Sequence, residues 1–409
     1  MDILIEELNG GVWVAGVQEK RLNGLEFDPP SEEVRWGSIY WAKVARIDKA
    51  QDAAYVNLDG DNIGILYNAD VRVEKADGIF EKGGKKEIGK TLRPGQMVAV
   101  QAKSSFFASS EQEFAKADGK VPKVSMDISL PGRYLIFNPM EPENLVSKRV
   151  QDSKARAQMQ NMLESLSDFH GCILRLSAAD TQTDFLVREA KILASMWQQM
   201  SAFFKGDGPQ LITMGPDAIQ RMLSDHASQS ISRIEVTTMD HFQMAEEWCD
   251  IYAPDMIPRI HPVEMSNAAN EFALFEHYDL IPQIDGLMHP YVILSQGATI
   301  IMQETAAFLA VDVNSAADSR SKAEINKEAA YEIARQMRIR NLGGAVVIDF
   351  LKTNNKKERT ELVKIMTEAV NDDPCTIQVH GLTNLGFMEM TRMRRTPEFS
   401  VRYLSMNEM

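Results

Sequence analysis

The sequence is poor in cysteine and has no long hydrophobic run. Its 409 residues include only three cysteines, Cys172, Cys249 and Cys375. Their odd number and wide spacing exclude a disulfide framework, and there is no CxxC pair of the kind that builds zinc sites. The longest apolar stretches, such as 306–311 and 345–348, are far shorter than the roughly 20 residues of a membrane-spanning helix. We therefore expect a protein of a reducing compartment with no membrane span.

Excess positive charge and a targeting signal are also missing. Acidic residues outnumber basic ones by 58 to 44, which gives a formal net charge of −14. That balance argues against a surface covered with non-specific nucleic-acid contacts, but it allows a local basic groove. Acidic residues stand at the start, where a secretory signal would carry basic residues before an apolar run. The prediction is a cytoplasmic protein.

The sequence also shows no histidine or nucleophile arrangement of the usual catalytic kinds. The seven histidines form no HxH or HxxxH pair, and no Ser/His/Asp or Cys/His arrangement stands out. Hydrophobic residues make up 44% and charged residues 25% of the chain, values that are typical of a folded globular protein. The length predicts about two to three domains of about 150 residues each.

Short β-rich segments dominate the first third of the chain. Residues 1–30 alternate apolar and polar positions, which predicts a hairpin or meander. From residue 36 onward, short runs separated by tight turns and one long loop predict a five-stranded barrel, most commonly an OB-type fold. Tyr55 and Ile65 lie on successive strands of it, where they could support unpaired bases. Packing in the barrel core is the alternative for both residues.

The middle of the chain mixes helix and strand patterns. Strand-like residues 134–137 and 172–176 flank a helical stretch at 153–166, which predicts a compact α+β segment. Residues 211–280 alternate helix patterns with a strand pattern at 231–236, as an α/β piece does.

The C-terminal part has the clearest pattern. Residues 306–313 read as a buried strand containing Asp312, and 345–350 as a second strand containing Asp349. The helix between them carries apolar residues every four positions along one face, namely Ile325, Ala329, Ile333 and Met337. Groups beyond the carboxyl ends of strands in an α/β sheet converge on one crevice. We therefore expect the two aspartates to meet.

Two carboxylates in one crevice suit a hard divalent cation. Mg²⁺ takes oxygen ligands and keeps several waters, so one or two protein carboxylates are usually enough to hold it. Such an ion can polarise a phosphoryl group and activate a bound water. Asn314 could orient a ligand or a water from the second coordination shell. The alternative is that Asp312 and Asp349 are strand-end acids and Asn314 is a turn residue.

Positive charge is concentrated around the predicted pair. Arg335, Arg338 and Arg340 end the helix, and the segment 391–402 carries four arginines against Glu398. Such a concentration suits a polyanionic substrate. Arginines near a helix C-terminus can equally serve to stabilise the helix dipole.

Several longer segments resemble the ribonuclease E/G family of endoribonucleases. They are AVDVNSA (310–316), EAAYEIARQMRIRNLGGAVVIDF (328–350), DISLPGRYLIF (127–137), GFMEMTRMR (386–394), GSIYWAKVARI (37–47), AAYVNL (53–58) and LFEHYDLIPQI (274–284). Together they cover nearly the whole catalytic half of that family, in the family's order.

The resemblance implies an α+β multidomain fold. It would consist of an S1-type OB barrel (36–123) inserted in a ribonuclease-H-like α/β piece (1–35 and 211–280), a 5′-sensor-like α+β subdomain (124–210), and a DNase-I-like α/β catalytic subdomain (281–409).

The resemblance also implies an activity and its catalytic residues. The expected function is magnesium-dependent hydrolysis of single-stranded RNA to 5′-phosphate and 3′-hydroxyl ends, in RNA processing or decay. Asp312 and Asp349 match the family's two magnesium-binding aspartates, a site that would also accept Mn²⁺. Asn314 matches the asparagine that supports them. The alternative is a non-catalytic S1-type RNA-binding protein derived from such a nuclease.

Two groups of RNA-binding residues follow from the same resemblance. Gly132, Ile136 and Arg175 fall where the family binds an RNA 5′-monophosphate. The positions that match the family's clamp for single-stranded RNA on the barrel are Tyr55, Ile65 and Lys120.

The sequence departs from the family pattern at several positions. Leu176 stands where the 5′ pocket has a threonine, Ile65 replaces an aromatic residue, and Asn384 replaces a common arginine. The loop 318–324 is shorter than usual. The chain ends at Met409 without the family's Cys-Pro-x-Cys zinc link, so we expect no zinc site and no degradosome scaffold segment, and we leave a homodimer open.

Overall fold

The computed structural model describes most of the chain. The described residues are 1–8, 11–29, 32–75, 80–107, 121–150, 152–227, 229–264, 273–353 and 355–407, and Lys120 lies outside them. The chain divides into two compact units: unit 1 comprises Met1–Pro29, Arg233–Thr238 and Pro262–Met409, and unit 2 comprises Pro30–Ser232 and Met239–His261. The four-part division implied by the resemblance has different bounds and stays a prediction.

The elements are mixed α and β throughout. The strands are β1 (Asp2–Leu8), β2 (Gly11–Gln18), β3 (Arg21–Phe27), β4 (Glu32–Val34), β5 (Ile39–Asp48), β6 (Ala53–Asn57), β7 (Ile63–Tyr67), β8 (Arg72–Glu74), β9 (Phe80–Lys82), β10 (Met97–Ala102), β11 (Phe106–Phe107), β12 (Lys123–Ser125), β13 (Leu130–Pro131), β14 (Leu135–Phe137), β15 (Leu145–Val146), β16 (Cys172–Leu174), β17 (Gln210–Thr213), β18 (Arg233–Val236), β19 (Ile260–Pro262), β20 (Tyr291–Ile293), β21 (Thr299–Glu304), β22 (Leu309–Asn314), β23 (Gly344–Asp349), β24 (Ile377–Leu382) and β25 (Met388–Arg392). The α-helices are α1 (Ser153–Met162), α2 (Thr183–Ser201), α3 (Ala218–Asp225), α4 (Met239–Tyr252), α5 (Ala273–His277), α6 (Ile281–Asp285), α7 (Lys322–Ile339), α8 (Lys356–Ala369) and α9 (Phe399–Asn407). Among the described residues, no helix is long and apolar enough to cross a membrane.

Unit 1 begins with the meander that the alternating pattern predicted. β1, β2 and β3 pair antiparallel in succession, and β18 pairs parallel with β1. The turn between β2 and β3 has positive φ at Glu19 and Lys20. Trp13 stacks on Phe27 with ring centroids 4.2 Å apart, and both side chains are fully buried. Burial of these large rings stabilises this end of the unit.

Unit 2 contains the predicted five-stranded barrel. Its strands follow the order β10, β12, β7, β6, β5, and β10 pairs with β5 to close the ring. Alternate residues of the strands point inward, as a closed barrel requires. The interior is lined by small and branched apolar side chains that are at most 3% exposed, including Val44, Val56, Leu66, Val98 and Val100. The sequence prediction of the barrel is confirmed.

The rest of unit 2 contains a small sheet that packs with the amphipathic helix α2. The sheet has the order β13, β14, β16, β15, and Leu186, Ala190 and Leu193 of α2 are buried in the same apolar core. The strand predicted over 172–176 is present but ends at Leu174, and a 3₁₀ turn follows at Leu176–Ala178.

The second sheet of unit 1 has the order β20, β21, β22, β23, β25, β24. Helix α7 crosses from β22 to its parallel neighbour β23, as predicted. The strand predicted from residue 306 begins only at Leu309. Thr305 and Phe308 close a turn ahead of it, since the Thr305 hydroxyl donates to the Phe308 carbonyl at 2.7 Å. Apolar residues of α7 and α8 share one core with alternate strand residues of this sheet.

Candidate active site

Strands β22 and β23 bring the two predicted aspartates side by side. The strands are parallel, and Asp312 is the register partner of Asp349. Neighbouring strands lie about 4.8 Å apart, and register partners project to the same face. Val311 and Ile348, the residues just before them, are buried on the helix-covered face. Both carboxylates therefore lie on the opposite face of the sheet, where every second residue is partly or fully exposed.

Asn314 acts directly on one of these carboxylates. It is two residues beyond Asp312 on β22 and so lies on the same face. Its Nδ2 donates a hydrogen bond to Asp312 Oδ2 at 2.7 Å. This contact restricts the orientation of the Asp312 carboxylate, which is otherwise exposed. The supporting role predicted for Asn314 is therefore compatible with its geometry.

Asp349 carries an unsatisfied oxygen. Its Oδ1 is buried and has no hydrogen-bond partner among the described residues. A buried carboxylate oxygen without a partner is unfavourable, since it has lost water and gained nothing in return. A hard cation shared with Asp312 would satisfy this oxygen. The donor set therefore fits a divalent metal ion.

The described residues offer few ligands at this site. Within the described ranges, no group of three or more histidine, cysteine, aspartate or glutamate side chains is placed to hold a metal ion. Asp312 and Asp349 would thus bind an ion that keeps most of its coordinated water molecules, as Mg²⁺ usually does. A closed zinc centre needs four protein ligands, and these two carboxylates do not provide one.

The loop after β22 is held by ion pairs. Arg320 contacts the Asp318 carboxylate and, at 2.6 Å, the Glu328 carboxylate. Ser321 and Glu324 then form a capping box at the start of α7. The hydrogen bond from Arg320 is the largest cause that lowers the pKa of Asp318. For Glu324, the largest cause of the lowered pKa is the hydrogen bond with Ser321. The short connection from Asn314 to α7 is therefore well ordered by its own side chains.

The positive charge expected around the pair is largely committed to structural contacts. The three arginines at the end of α7 donate to protein acceptors within unit 1: Arg335 to Glu332 and the Leu22 carbonyl, Arg338 to Asn23, and Arg340 to Gln336 and the His289 carbonyl. Each of these side chains is partly or fully buried against other segments, which does not support the interpretation that they face a polyanion.

The arginines of the segment 391–402 are similarly engaged. Arg392 is buried and pairs with Asp373 at 2.9 Å, and buried Arg402 lies over the Phe27 ring at 4.3 Å. Arg394 is more exposed and pairs with Glu304 at 3.3 Å. These arginines stabilise unit 1 more than they form a phosphate-binding surface.

In unit 2, Arg175 lies next to Gly132, as the resemblance implies. Its guanidinium donates to the Gly132 carbonyl at 2.6 Å and to the hydroxyl and carbonyl oxygens of Ser224, both at 2.9 Å. Ile136 is on the adjacent strand β14, in register with Ile173 of β16. The structure thus brings the three predicted pocket residues into one neighbourhood.

A glutamate that the sequence did not single out occupies the same neighbourhood. The Glu189 carboxylate accepts backbone hydrogen bonds from Arg133 at 2.5 Å and from Tyr134 and Leu135 at 2.9 Å. Burial raises the pKa of Glu189, while these backbone donors and Arg175 act in the opposite direction. The Glu189 carboxyl group therefore occupies the row of backbone donors that follows Gly132. Nothing in the sequence distinguished this glutamate from others on an amphipathic helix.

Positions 176 and 177 decide whether a hydroxyl group is available near Arg175. Leu176 is half-buried and packs against the apolar core of this part of unit 2. Ser177, its neighbour in the 3₁₀ turn, directs its hydroxyl to the Arg133 carbonyl at 2.5 Å. The Ser177 hydroxyl is therefore already used and is not placed to replace a threonine hydroxyl at position 176.

The barrel residues have different surroundings. Tyr55 and Ile65 are register partners on β6 and β7. Ile65 is only 5% exposed, so its side chain is buried in the protein and does not present a surface to bases. Tyr55 is partly exposed and is covered by Arg46, whose guanidinium carbon lies 3.7 Å from the ring centroid. The sequence did not identify Arg46, although the register of β5 with β6 would have placed it opposite Tyr55.

Comparisons with known proteins agree with the motifs. A model of the ribonuclease E/G family matches residues 129–395. Ribonuclease E of Haemophilus influenzae is 29% identical over 394 residues, which make up 94% of this chain and 40% of that protein. Ribonuclease G of Salmonella typhimurium is 28% identical over 383 residues, covering 91% of this chain and 75% of that protein. Ribonuclease E of Synechocystis sp. is 27% identical over 372 residues, which are 88% and 52% of the two chains.

The chain thus spans less than half the length of the Haemophilus ribonuclease E, and the family match covers more than half of the chain. That match includes both strands that carry Asp312 and Asp349, and the segment that carries Gly132 and Arg175. This chain belongs to the ribonuclease E/G family.

Proposed function

We propose that this chain is a metal-dependent endoribonuclease that hydrolyses single-stranded RNA and leaves 5′-phosphate and 3′-hydroxyl ends. The observation that carries the proposal is the register pairing of Asp312 with Asp349, together with the buried Oδ1 of Asp349, which has no partner in the described part of the chain. The relatives that match most of the chain are named ribonucleases, which supports RNA as the substrate.

The residues have distinct roles in this proposal. Asp312 and Asp349 hold the metal, with Mg²⁺ as the expected ion and Mn²⁺ as an alternative. Asn314 keeps the Asp312 carboxylate turned toward it. When bound, the ion would polarise the scissile phosphoryl group and lower the pKa of a water molecule. No protein nucleophile is needed for hydrolysis of this kind.

We infer that unit 2 supplies the RNA-binding part. A closed barrel that presents Tyr55 under Arg46 provides an aromatic ring and a positive charge on one surface, which suits unpaired bases and their phosphates. We assign the barrel to the S1 type, with Lys120 as a further contact. The remaining segments are assigned as ribonuclease-H-like, 5′-sensor-like and DNase-I-like subdomains. The proposed setting is RNA processing or decay in the cytoplasm, and the proposed assembly is a homodimer.

We further propose that 5′-end sensing is weak. Leu176 cannot donate a hydroxyl hydrogen bond, Ser177 is already used, and the backbone donors after Gly132 face Glu189. Arg175 is the group that the resemblance assigns to a terminal phosphate, and its guanidinium also bonds Gly132 and Ser224. One lost hydrogen bond to a charged group corresponds to roughly 1.5–3 kcal/mol, so a preference for 5′-monophosphorylated RNA should be about tenfold to a hundredfold smaller than with a complete pocket.

The test is cleavage of a fluorescent single-stranded RNA oligonucleotide with Mg²⁺ and with a chelator. Asp312→Asn and Asp349→Asn should each abolish cleavage and leave RNA binding largely intact, because each removes an anionic ligand with little change in volume. Glu361→Gln is the matched control, since this acid is exposed on α8, away from the aspartates. Near-normal cleavage by either aspartate variant would disprove the two-carboxylate site. Binding without cleavage by the unmodified protein would favour the non-catalytic alternative.

A further inference from the structure

Helix α7 is attached to the chain just beyond Asp349 by an asparagine side chain. Asn326 Nδ2 donates to the Leu351 carbonyl at 2.9 Å, and the Leu351 amide donates back to Asn326 Oδ1 at 3.0 Å. Asn326 is only 3% exposed. The amide group therefore bonds both backbone groups of one residue, as a neighbouring strand would.

This contact lies where the strand ends. β23 ends at Asp349, so the hydrogen bonds of the sheet hold the chain before this aspartate but not the chain after it. Leu351 is two residues farther along, and Asn326 fixes the backbone there. Lys322, one turn earlier on α7, adds a hydrogen bond from Nζ to the Lys352 carbonyl at 3.2 Å. The segment after Asp349 is thus held by the helix.

The same helix also holds the segment after Asp312. The loop that leaves β22 is tied to α7 through Arg320 and Glu328, and Ser321 caps the helix. One rigid element consequently contacts the chain on the far side of each aspartate. A displacement of α7 relative to Leu351 would change the separation of the two carboxylates.

We propose that Asn326 is a positioning residue for the metal site, which sets the Asp349 carboxylate at the distance from Asp312 that a shared divalent ion requires. The inference rests on the metal-dependent function proposed above. Residues that orient metal ligands without touching the ion typically change metal affinity about 10–100-fold when they are removed. Asn326 touches neither substrate nor metal in this arrangement.

The test compares Asn326→Ala with a buried asparagine that is remote from the site. Asn341, just beyond the other end of α7, donates to the Thr396 carbonyl and hydroxyl at 2.7 Å. It has φ +52°, so Asn341→Gly preserves its backbone conformation while removing comparable hydrogen bonds. Both variants should lose stability, which thermal unfolding measures.

Only the Asn326 variant should alter metal affinity. We expect the Mg²⁺ concentration for half-maximal cleavage to rise about tenfold or more in Asn326→Ala, with a much smaller change in the rate at saturating Mg²⁺. Direct Mn²⁺ binding, measured by calorimetry, should weaken by a similar factor. Asn341→Gly should change neither quantity. If Asn326→Ala does not fold, Asn326→Ser removes less volume and still cannot span both backbone groups of Leu351.

The possible results separate the two hypotheses. An Asn326 variant that loses stability but keeps the Mg²⁺ midpoint and Mn²⁺ affinity of the unmodified protein would overturn the positioning role alone. An unmodified protein that binds no Mn²⁺ and cleaves without metal would overturn the proposed function, and the inference with it.

Discussion

Replacement of Gly132 by alanine tests whether this glycine is required by the fold or only by an RNA end. A Cβ at position 132 would lie 2.5 Å from Glu189 Cδ and 2.6 Å from Glu189 Oε1. The ordinary range for such contacts begins at about 3.4 Å, so the carboxylate would have to move by close to 1 Å. Glu189 is held by three backbone amides, and it cannot move without weakening those hydrogen bonds.

The expected loss of stability follows from two contributions. Overpacking a filled site typically costs 1–3 kcal/mol, and a hydrogen bond to a charged group is worth roughly 1.5–3 kcal/mol. The two contributions overlap, because moving the carboxylate relieves the clash. We expect Gly132→Ala to lower the free energy of unfolding by about 2–4 kcal/mol.

Urea unfolding of the full chain measures this effect, and Gly208→Ala is the matched control. Gly208 is exposed and an added Cβ there meets nothing within 4 Å, so its replacement should be neutral or slightly stabilising. A double-mutant cycle with Glu189→Ala should show a coupling of at least about 1 kcal/mol, since the alanine at 132 then has room. Unchanged stability in Gly132→Ala, with loss confined to cleavage of 5′-monophosphorylated RNA, would refute the reasoning.

Four further predictions concern other features. Tyr55→Ala should weaken binding of single-stranded RNA by about 1–3 kcal/mol, and binding by the unmodified protein should fall between low and moderate salt; fluorescence anisotropy that shows neither change contradicts the barrel surface. Leu176→Thr should increase the ratio of cleavage rates on matched 5′-monophosphate and 5′-hydroxyl oligonucleotides, and an unchanged ratio would contradict the missing-hydroxyl explanation. Burial lowers the pKa of Lys103 to about 8 from 10.5, so the native state releases this proton before the unfolded chain does. The contribution of Lys103 to the free energy of unfolding should therefore grow by up to about 3 kcal/mol as the pH rises from 8 to above 10. The difference in unfolding free energy between the unmodified protein and Lys103→Met should change by the same amount over this pH range. A difference that does not depend on pH would argue against a buried, titrating lysine.

The sequence alone was sufficient to predict the barrel, the N-terminal meander and the β-α-β unit that carries Asp312 and Asp349. These features depend on local periodicity and on turn residues close in sequence, and a right-handed crossover between parallel strands leaves little freedom for the result. The expectation that both aspartates meet followed from the convergence of strand carboxyl ends on one crevice. Family motifs then supplied roles for residues whose chemistry was open.

Tertiary structure decided which side chains were free to act. Two arginines of α7 bond Leu22 and Asn23, which lie more than 300 positions away in the chain. The packing of distant segments decides whether such side chains make these bonds or face solvent. The same applies to Glu189, whose backbone donors lie more than 50 residues earlier, and to the burial of Ile65. Hydrophobic periodicity specifies the face on which a residue lies, whereas its hydrogen-bond partner is selected by long-range packing. For that reason the sequence determined where Asp312 and Asp349 would meet, and only the folded chain determined what surrounds them.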